Sequence, residues 1–508
     1  MQRKNRKSKG ILGVPRRAER QVFVFGKYAE ALPSDDSDDP DFDPRGEETV
    51  TTAAKREGLN EKERKGVKKR KGCKEQKTES GTGQTDVGND TVKSSDTCMS
   101  LPGWSETIPT EILLLIFQYA MNQLQSSSVP FLCRMSRVCR RWREVASEPK
   151  LWKTVNLSTE EVNITKSAKI LNKLVSTRLK YTRELVLRGW SKLTDREIKA
   201  LGKHCHKLQC IDLSECESLT SQGIASLADE CRHITSIGLK STKIDITGLQ
   251  HIIEILGAQL ECLFLENCNR LTGGRILPLI QENCPNLRIL DISGTNARTF
   301  PIEKLQAGCP KLRKLFLANL LLHSTPKSNE KKANGFPDLQ FLEWSGFYHG
   351  MQCTNDHLLR ILRSSHNLES LIIRGPNLIT AEGFSSLPDC PLKTLTFHNA
   401  SFSSFSAVVN KWHGTLESLD ISSSRDVGDN CMELLDNEFE MQKLRDLDVN
   451  NTNITSIGLR FILNGCPNLK LLNLISCRGL PRGFKTIHRE QAIQGLRRTL
   501  LAGEGDSN

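Results

Sequence analysis

The stretch Cys205-His-Lys-Leu208-Gln-Cys-Ile211-Asp-Leu213 decides the fold, because its pattern, an opening Cys followed by L-x-x-L-x-L, returns along the chain. It recurs at Cys231…Ile234…Ile237-Gly-Leu239, Leu260…Leu263-Phe-Leu265, Cys284-Pro-Asn-Leu287…Leu290-Asp-Ile292 and Cys309-Pro-Lys-Leu312…Leu315-Phe-Leu317. Further copies are Leu339…Leu342-Glu-Trp344, Leu368…Leu371-Ile-Ile373, Leu392…Leu395-Thr-Phe397, Leu416…Leu419-Asp-Ile421, Leu444…Leu447-Asp-Val449 and Cys466-Pro-Asn-Leu469…Leu472-Asn-Leu474, with a weaker one at Leu185-Val-Leu187. Anchors Leu208, Ile234, Leu260, Leu287 and Leu312 are 26, 26, 27 and 25 residues apart. In L-x-L the two apolar side chains leave one face of a short strand and the middle residue leaves the other. A Thr then opens the return segment, as in Leu219-Thr220-Ser-Gln-Gly223, Ile379-Thr380-Ala-Glu-Gly383 and Ile454-Thr455-Ser-Ile-Gly458. Its hydroxyl can accept from a first-turn N–H, which makes it a suitable helix N-cap.

This period lies within the roughly 20–29 residues of leucine-rich repeats. One strand and one helix per repeat predict an α/β fold: a curved leucine-rich-repeat solenoid with parallel strands on the concave face and helices on the convex face. The repeats are assigned to 181–480, a linker or first-repeat cap to 158–180, and a C-terminal cap and tail to 481–508. The period also places many of the 17 cysteines. Cys205, Cys231, Cys284, Cys309 and Cys466 open repeats, Cys390 sits one place out of register, and Cys216, Cys268 and Cys477 follow strands. Such slots suit small buried side chains. Metal binding is the alternative, but no C-x-x-C pair occurs, so a zinc ribbon or RING has no ligand framework.

The chain has 508 residues, 37% hydrophobic and 6% aromatic, with a net charge of +12. That is lean for a compact enzyme and acceptable for a solenoid with a charged tail. Residues 1–103 read as a disordered charged tail, running from basic (Arg3–Lys9) to acidic (Asp35–Asp43) to basic (Lys62–Lys71), too sparse in apolar residues to offset the entropy of ordering. Val22–Phe25 is an apolar island, either a docking motif or a cluster without function. The run Lys62–Lys71 reads as a nuclear import signal or a solvated linker; no aromatic residues interleave with it, so it offers nucleic acid no stacking platform. Met1 opens onto Arg3, Lys4, Arg6, Lys7 and Lys9 without an apolar stretch, and no run approaches the roughly 18 apolar residues of a membrane span. The expectation is a soluble protein of the cytoplasm and/or nucleus, with no membrane partner and nucleic acid an improbable one.

Between tail and repeats, apolar residues become dense. Ile112, Leu113, Ile116 and Phe117 fall at helical spacing, Thr107 and Pro109 suit a helix start, and Phe131–Val145 is a second helical block ended by Pro149. Residues 104–157 resemble an F-box. The text that carries the resemblance is Trp104-Ser-Glu-Thr-Ile108-Pro109-Thr-Glu111-Ile112-Leu113, then Ile116-Phe117, Val138-Cys139-Arg140-Arg141-Trp142-Arg143 and Ser147-Glu-Pro149-Lys-Leu151-Trp152. Two departures are Ile108 before the Pro, where Leu is usual, and a long Gln123–Pro130 connection. F-box followed by cysteine-containing repeats is similar to the F-box and leucine-rich-repeat family, a resemblance that covers roughly 104–484.

That resemblance implies a non-catalytic subunit of an SCF ubiquitin ligase, docked through Ile108, Pro109, Ile112, Leu113, Ile116, Val138, Cys139, Trp142 and Trp152 to a Skp-type adaptor, which sits on a cullin scaffold with a RING subunit. Pro109 and Leu113 are the leading contact candidates. The residues themselves show no Walker loop, H-E-x-x-H, G-x-S-x-G or catalytic Cys/His signature, so no catalytic residue, metal or cofactor is expected. A ligase subunit of this kind works by holding an as yet unknown protein substrate close to the ubiquitin donor. On the concave face the middle column brings forward Phe264, Phe316 and Ile372, with Phe341 beside them, as an exposed apolar zone rimmed by Asp291 and Glu343. The segment His323–Gly335 breaks the period, as a recognition loop or a tolerated excursion. A non-degradative scaffold and a nucleic-acid-associated repeat protein are the alternatives.

Overall fold

The computed structural model describes residues 21–22, 30–31, 108–124, 128–158, 168–320, 323–327, 329, 334–345, 353–375 and 377–501. The rest of the tail assigned to 1–103, and parts of the 323–335 insertion, lie outside the described residues. Within the tail, β1 (Gln21–Val22) pairs antiparallel with β2 (Glu30–Ala31).

Three helices follow: α1 (Thr110–Asn122), α2 (Val129–Met135) and α3 (Arg140–Val145). Proline fixes a φ suited to a helix start and lacks the N–H that would go unpaired there; Pro109 precedes α1 and Pro130 lies in the first turn of α2. Leu113 and Phe117 of α1, Leu132 of α2 and Val145 of α3 are buried together. Phe117 meets Phe131 and Trp142 edge-on, with ring centroids 5.7 and 5.3 Å apart.

The L-x-L triplets form the strands of one 14-stranded sheet. In chain order they are β3 (Thr154–Asn156), β4 (Glu184–Val186), β5 (Cys210–Asp212), β6 (Ser236–Gly238), β7 (Cys262–Phe264), β8 (Ile289–Asp291), β9 (Lys314–Ala318), β10 (Phe341–Ser345), β11 (Ser370–Arg374), β12 (Thr394–Phe397), β13 (Ser418–Asp420), β14 (Asp446–Asp448), β15 (Leu471–Asn473) and β16 (Ile487–Arg489). β3 to β15 pair in parallel in chain order. The register aligns the apolar positions: Leu185, Ile211, Ile237, Leu263, Leu290, Leu315 and Leu342 are successive partners. Each is fully buried against the return helices. Thr220, Thr380 and Thr455 all stand at helix N-caps as the spacing predicts, but the Thr220 and Thr380 hydroxyls bond Asp195 and Asn355 of the preceding repeat instead of a first-turn N–H. Thr194 forms a reciprocal capping box with Glu197, and Thr455 accepts from the Ile457 N–H at 3.2 Å.

Three residues beyond the middle of each triplet the chain must turn sharply, and the backbone there is left-handed. φ is +62° at Glu215, +59° at Asn267, +64° at Gly294 and +57° at Asn451. Glycine and asparagine tolerate that region best, which explains their recurrence at this slot.

One boundary differs from the sequence reading, and the two end segments take definite form. The sheet already starts at Thr154–Asn156, inside the segment assigned to the docking domain, because Val155 continues the interior ladder onto Leu185. Residues 168–177 form a helix burying Leu171, Leu174 and Val175, so of the two readings of 158–180, linker or first-repeat cap, this stretch takes the second and supplies the return helix of a first repeat. At the far end β16 runs antiparallel to β15 and leads into a helix, Glu490–Leu501, whose Arg497 donates to the Leu463 and Cys466 carbonyls.

The repeats pack closely enough to require glycine. A Cβ on Gly465, at the end of helix Ser456–Gly465, would strike the Leu435 carbonyl of the preceding repeat, which is backbone and cannot swing aside. Gly465→Ala is expected to cost about 2 kcal/mol by overpacking. Gly414→Ala, whose Cβ meets nothing within 4 Å, is expected to stay within about 0.5 kcal/mol. Urea denaturation of both variants checks this.

Candidate functional site

Two surfaces hold the residues singled out by sequence. The first is α1. A helix places residues three and four apart on one face. With Leu113 and Phe117 turned into the core, Ile112, Leu115, Ile116 and Tyr119 form a stripe on the opposite side, all well exposed, Leu115 at 59% and Tyr119 at 70%. Exposed apolar residues in a row are a docking signature. Leu115 and Tyr119 are absent from the sequence-derived set, although continuing the helical spacing from Ile112 would have found them.

The other docking candidates divide by burial. Pro109 and Val138 are exposed, while Ile108, Cys139 and Trp142 are half-buried. Leu113 and Trp152 are almost wholly buried and support the surface from beneath; Leu113 offers a partner nothing to touch. Cys139 caps α3, its Sγ accepting from the Trp142 N–H at 3.4 Å. The indole of Trp152 donates to the Ala146 carbonyl at 2.8 Å, and Arg178 donates to Ser147 while its guanidinium lies 5.5 Å from the Trp152 ring. Arg178 follows the helix Ala168–Thr177, so its contacts with Trp152 and Ser147 fasten the helical unit to the first repeat.

The second surface is the concave column. Here the structure corrects the expectation of an exposed apolar zone. Phe264 is 4% exposed, Phe316 2% and Asp291 0%. Neighbouring parallel strands lie about 4.8 Å apart, which lets the Phe316 and Phe341 rings touch across β9 and β10 but does not by itself seal Phe264. Val186, Cys262, Phe264, Ile289 and Phe316 form a small apolar core of their own, with Phe341 packed on its edge and its ring centroid 4.5 Å from that of Phe316. Asp291 accepts from the Ser293 N–H at 2.9 Å. Asp212, beside them, is paired with Arg188 at 3.1 Å, yet burial holds its carboxyl above the usual range despite the bonds from Ser214 and Arg188.

Phe341, Glu343 and Ile372 remain partly accessible, and they begin an open half of the face. From β10 to β15 the two central columns carry the carboxylates of Glu343, Asp420, Asp446 and Asp448 and no basic residue. At the strand ends Arg374 lies 3.7 Å from Glu343 and His398 3.8 Å from Asp420. The Asp420 carboxyl sits below its ordinary range: burial pushes it up, but bonds from His398 and Ser422 more than compensate.

The repeat cysteines are accounted for by packing. Cys216, Cys268 and Cys477 are fully buried and donate to the Leu187, Leu239 and Val449 carbonyls of the preceding repeat at 3.3, 2.9 and 3.1 Å. Burial pushes the Cys216, Cys231 and Cys284 thiols up to about 12. A thiol so far from its thiolate is a poor nucleophile and a poor metal ligand.

An F-box-like family model matches residues 105–158. F-box/LRR-repeat protein 4 of Bos taurus is 23% identical over 270 residues, which cover 47% of this chain and 42% of that protein. Antagonist of mitotic exit network protein 1 of Candida glabrata is 31% identical over 112 residues, 21% of this chain and 22% of that protein. The chain thus spans less than half the length of these relatives. Among solved structures, a chain of the yeast Rad7 and Elc1 complex aligns at a TM-score of 0.47 and 16% identity, covering 73% of this chain and 90% of that one. Residues 105–158 thus match an F-box-like domain, a leucine-rich-repeat array follows them, and the chain is similar over 270 residues to an F-box/LRR-repeat protein.

Proposed function

We propose that this chain is the substrate-recognition adaptor of an SCF-type ubiquitin ligase. The stripe Ile112, Leu115, Ile116 and Tyr119 on α1 carries the reading, since a helix at the surface of an F-box-like domain has no internal use for four exposed apolar side chains. In this reading α1, with Pro109 and Val138, docks on a Skp-type adaptor that joins the chain to a cullin and a RING subunit. The solenoid holds the target protein, and ubiquitination leads to its proteasomal degradation. The chain itself supplies proximity and no chemistry. Its place of work is the cytoplasm or nucleus, where buried thiols such as Cys216 and Cys268 stay reduced. Target contacts then fall on the open half of the concave face, at Phe341, Glu343, Ile372, Asp420, Asp446 and Asp448, where four carboxylates favour a basic segment.

Reconstitution tests this. The purified full chain is mixed with a Skp-type adaptor, cullin, RING subunit, ubiquitin and its activating and conjugating enzymes. Co-elution of the four subunits and ubiquitin transfer to lysines of the chain itself are expected, which needs no knowledge of the target. If the chain elutes alone, the helices of 108–152 are a cap on a repeat protein and the ligase reading fails.

A further inference from the structure

The concave face is closed over one half and open over the other, although strand spacing and register continue unchanged across both. On β4 to β8, the outward residues Glu184, Val186, Cys210, Asp212, Ser236, Gly238, Cys262, Phe264, Ile289 and Asp291 are all buried. From β10 on, nearly every equivalent residue is at least partly exposed. Packing between adjacent columns does not account for this. Ser236 and Gly238 are too small to cover each other or their neighbours, yet they are as sealed as the rings beside them. The return helices occupy the other side of the sheet, against the inward leucines.

We propose that a segment of this chain's own N-terminus, the hairpin around Val22-Phe23-Val24-Phe25, occupies the apolar patch of Phe264, Ile289 and Phe316 and closes that half of the concave face. Three observations select it. First, it is the one run of four consecutive apolar residues in the first 100 positions. Its first residue, Val22, belongs to β1, which pairs antiparallel with β2. Second, its flanks carry Arg16, Arg17, Arg20 and Lys27, with Glu19 and Glu30 as the only acids between 16 and 30, whereas the closed half contributes the carboxylates of Glu184, Asp212 and Asp291. Third, it reaches. Residues 26–107 separate the island from the first described residue of α1's approach, Ile108. Fully extended, that length of chain would span at most roughly 270 Å, far more than the gap requires. The patch at β7 to β9 lies four to six strand spacings from β3, about 20–30 Å. Tethering at this range gives a local concentration of order millimolar, enough for a weak contact to be mostly formed.

The consequence is self-occupancy: half of the face is held by the chain and only a partner that displaces the hairpin gains access to it. This goes beyond the ligase reading and does not depend on it, since the test involves no adaptor.

Cys210 and Cys262 point onto the closed face, while Cys231 and Cys284 lie in the interior with thiols pushed up to about 12. The full-length wild type and a Phe23→Ser/Phe25→Ser chain are treated with N-ethylmaleimide, and each cysteine is followed by peptide mass spectrometry. The expected result is labelling of Cys262 and Cys210 about ten-fold faster or more in the variant, with Cys231 and Cys284 equally slow in both chains. Unchanged Cys262 labelling overturns the proposal. So does a rise shared by Cys231 and Cys284, which reports loosening of the repeats instead of an uncovered face. Lysine cross-linking of the wild type is the second measurement. Lys27 joined to Lys314, on β9 at the edge of the patch, supports the assignment; Lys27 joined only to lysines away from the concave face overturns it.

Discussion

Ile116→Asp is expected to weaken binding to a Skp-type adaptor by about 100-fold while leaving the fold intact. Ile116 sits in the middle of the exposed stripe on α1, flanked by Ile112, Leu115 and Tyr119. A central apolar residue of an interface contributes 2 kcal/mol or more when lost, and a buried unpaired carboxylate adds its own desolvation cost. Together about 3 kcal/mol is a factor near 100 in Kd. In the free chain the aspartate lies in water, so the melting temperature should hold. Leu113→Ala gives the contrast. Its side chain is buried, and truncation costs roughly 2–5 kcal/mol of stability. It therefore weakens binding only as far as it unfolds the helices. Calorimetric titration with purified adaptor, beside thermal melts, separates the two. An Ile116→Asp chain that binds as wild type removes α1 from the interface.

The second large effect is at Glu303. Between β9 and β10 the described residues include no return helix, so helix Ile302–Gly308 meets helix Asn355–Leu362 directly. Arg360 spans the junction. Its Nε and Nη2 donate to the two oxygens of Glu303 at 2.8 and 2.9 Å, Nη2 also donates to the Thr325 carbonyl at 3.1 Å, and its own carbonyl accepts from Gln306 at 2.6 Å. Both side chains are over 90% buried. Glu303→Ala strands a guanidinium in a dry site and is expected to cost about 3–5 kcal/mol. Asp356→Ala, whose carboxylate is exposed and 3.4 Å away, should change stability by less than about 1 kcal/mol. Because each repeat contacts mainly its neighbours, a weakened junction uncouples the two ends of the array. Urea unfolding of Glu303→Ala should therefore show two transitions where the wild type shows one. A single unshifted transition would place the coupling elsewhere.

The repeat was legible in sequence because the interior ladder accepts only apolar side chains at two fixed positions, and each of Ile211, Ile237 and Leu263 reports that constraint directly. The helices of the F-box-like domain were legible for the same reason at Leu113 and Phe117. What proved harder was exposure. The L-x-L rule says that Phe264 and Phe316 leave the outward side of the sheet, which is correct. It cannot say whether anything lies over that side, since cover comes from residues distant in sequence. On α1 the difficulty was reversed: Leu113 stands out in the F-box-like text because the fold needs it, while Leu115 and Tyr119, which the fold does not need, do not stand out. The Arg360–Glu303 pair, 57 residues apart, left no periodic trace at all.

The last strand of the sheet runs against its neighbours. A parallel array can be extended by one more copy of the same unit only if its final strand offers an edge in the same orientation. β16 withdraws that edge, and the helix Glu490–Leu501 closes the apolar end behind it. At the other end β3 is joined directly to the helical unit. Duplication of a repeat during descent can therefore succeed only in the interior, where a new unit finds matching faces on both sides. The length of the arc, and with it the distance between the N-terminal helices and the far end of the concave face, is a quantity that insertion can tune but extension cannot.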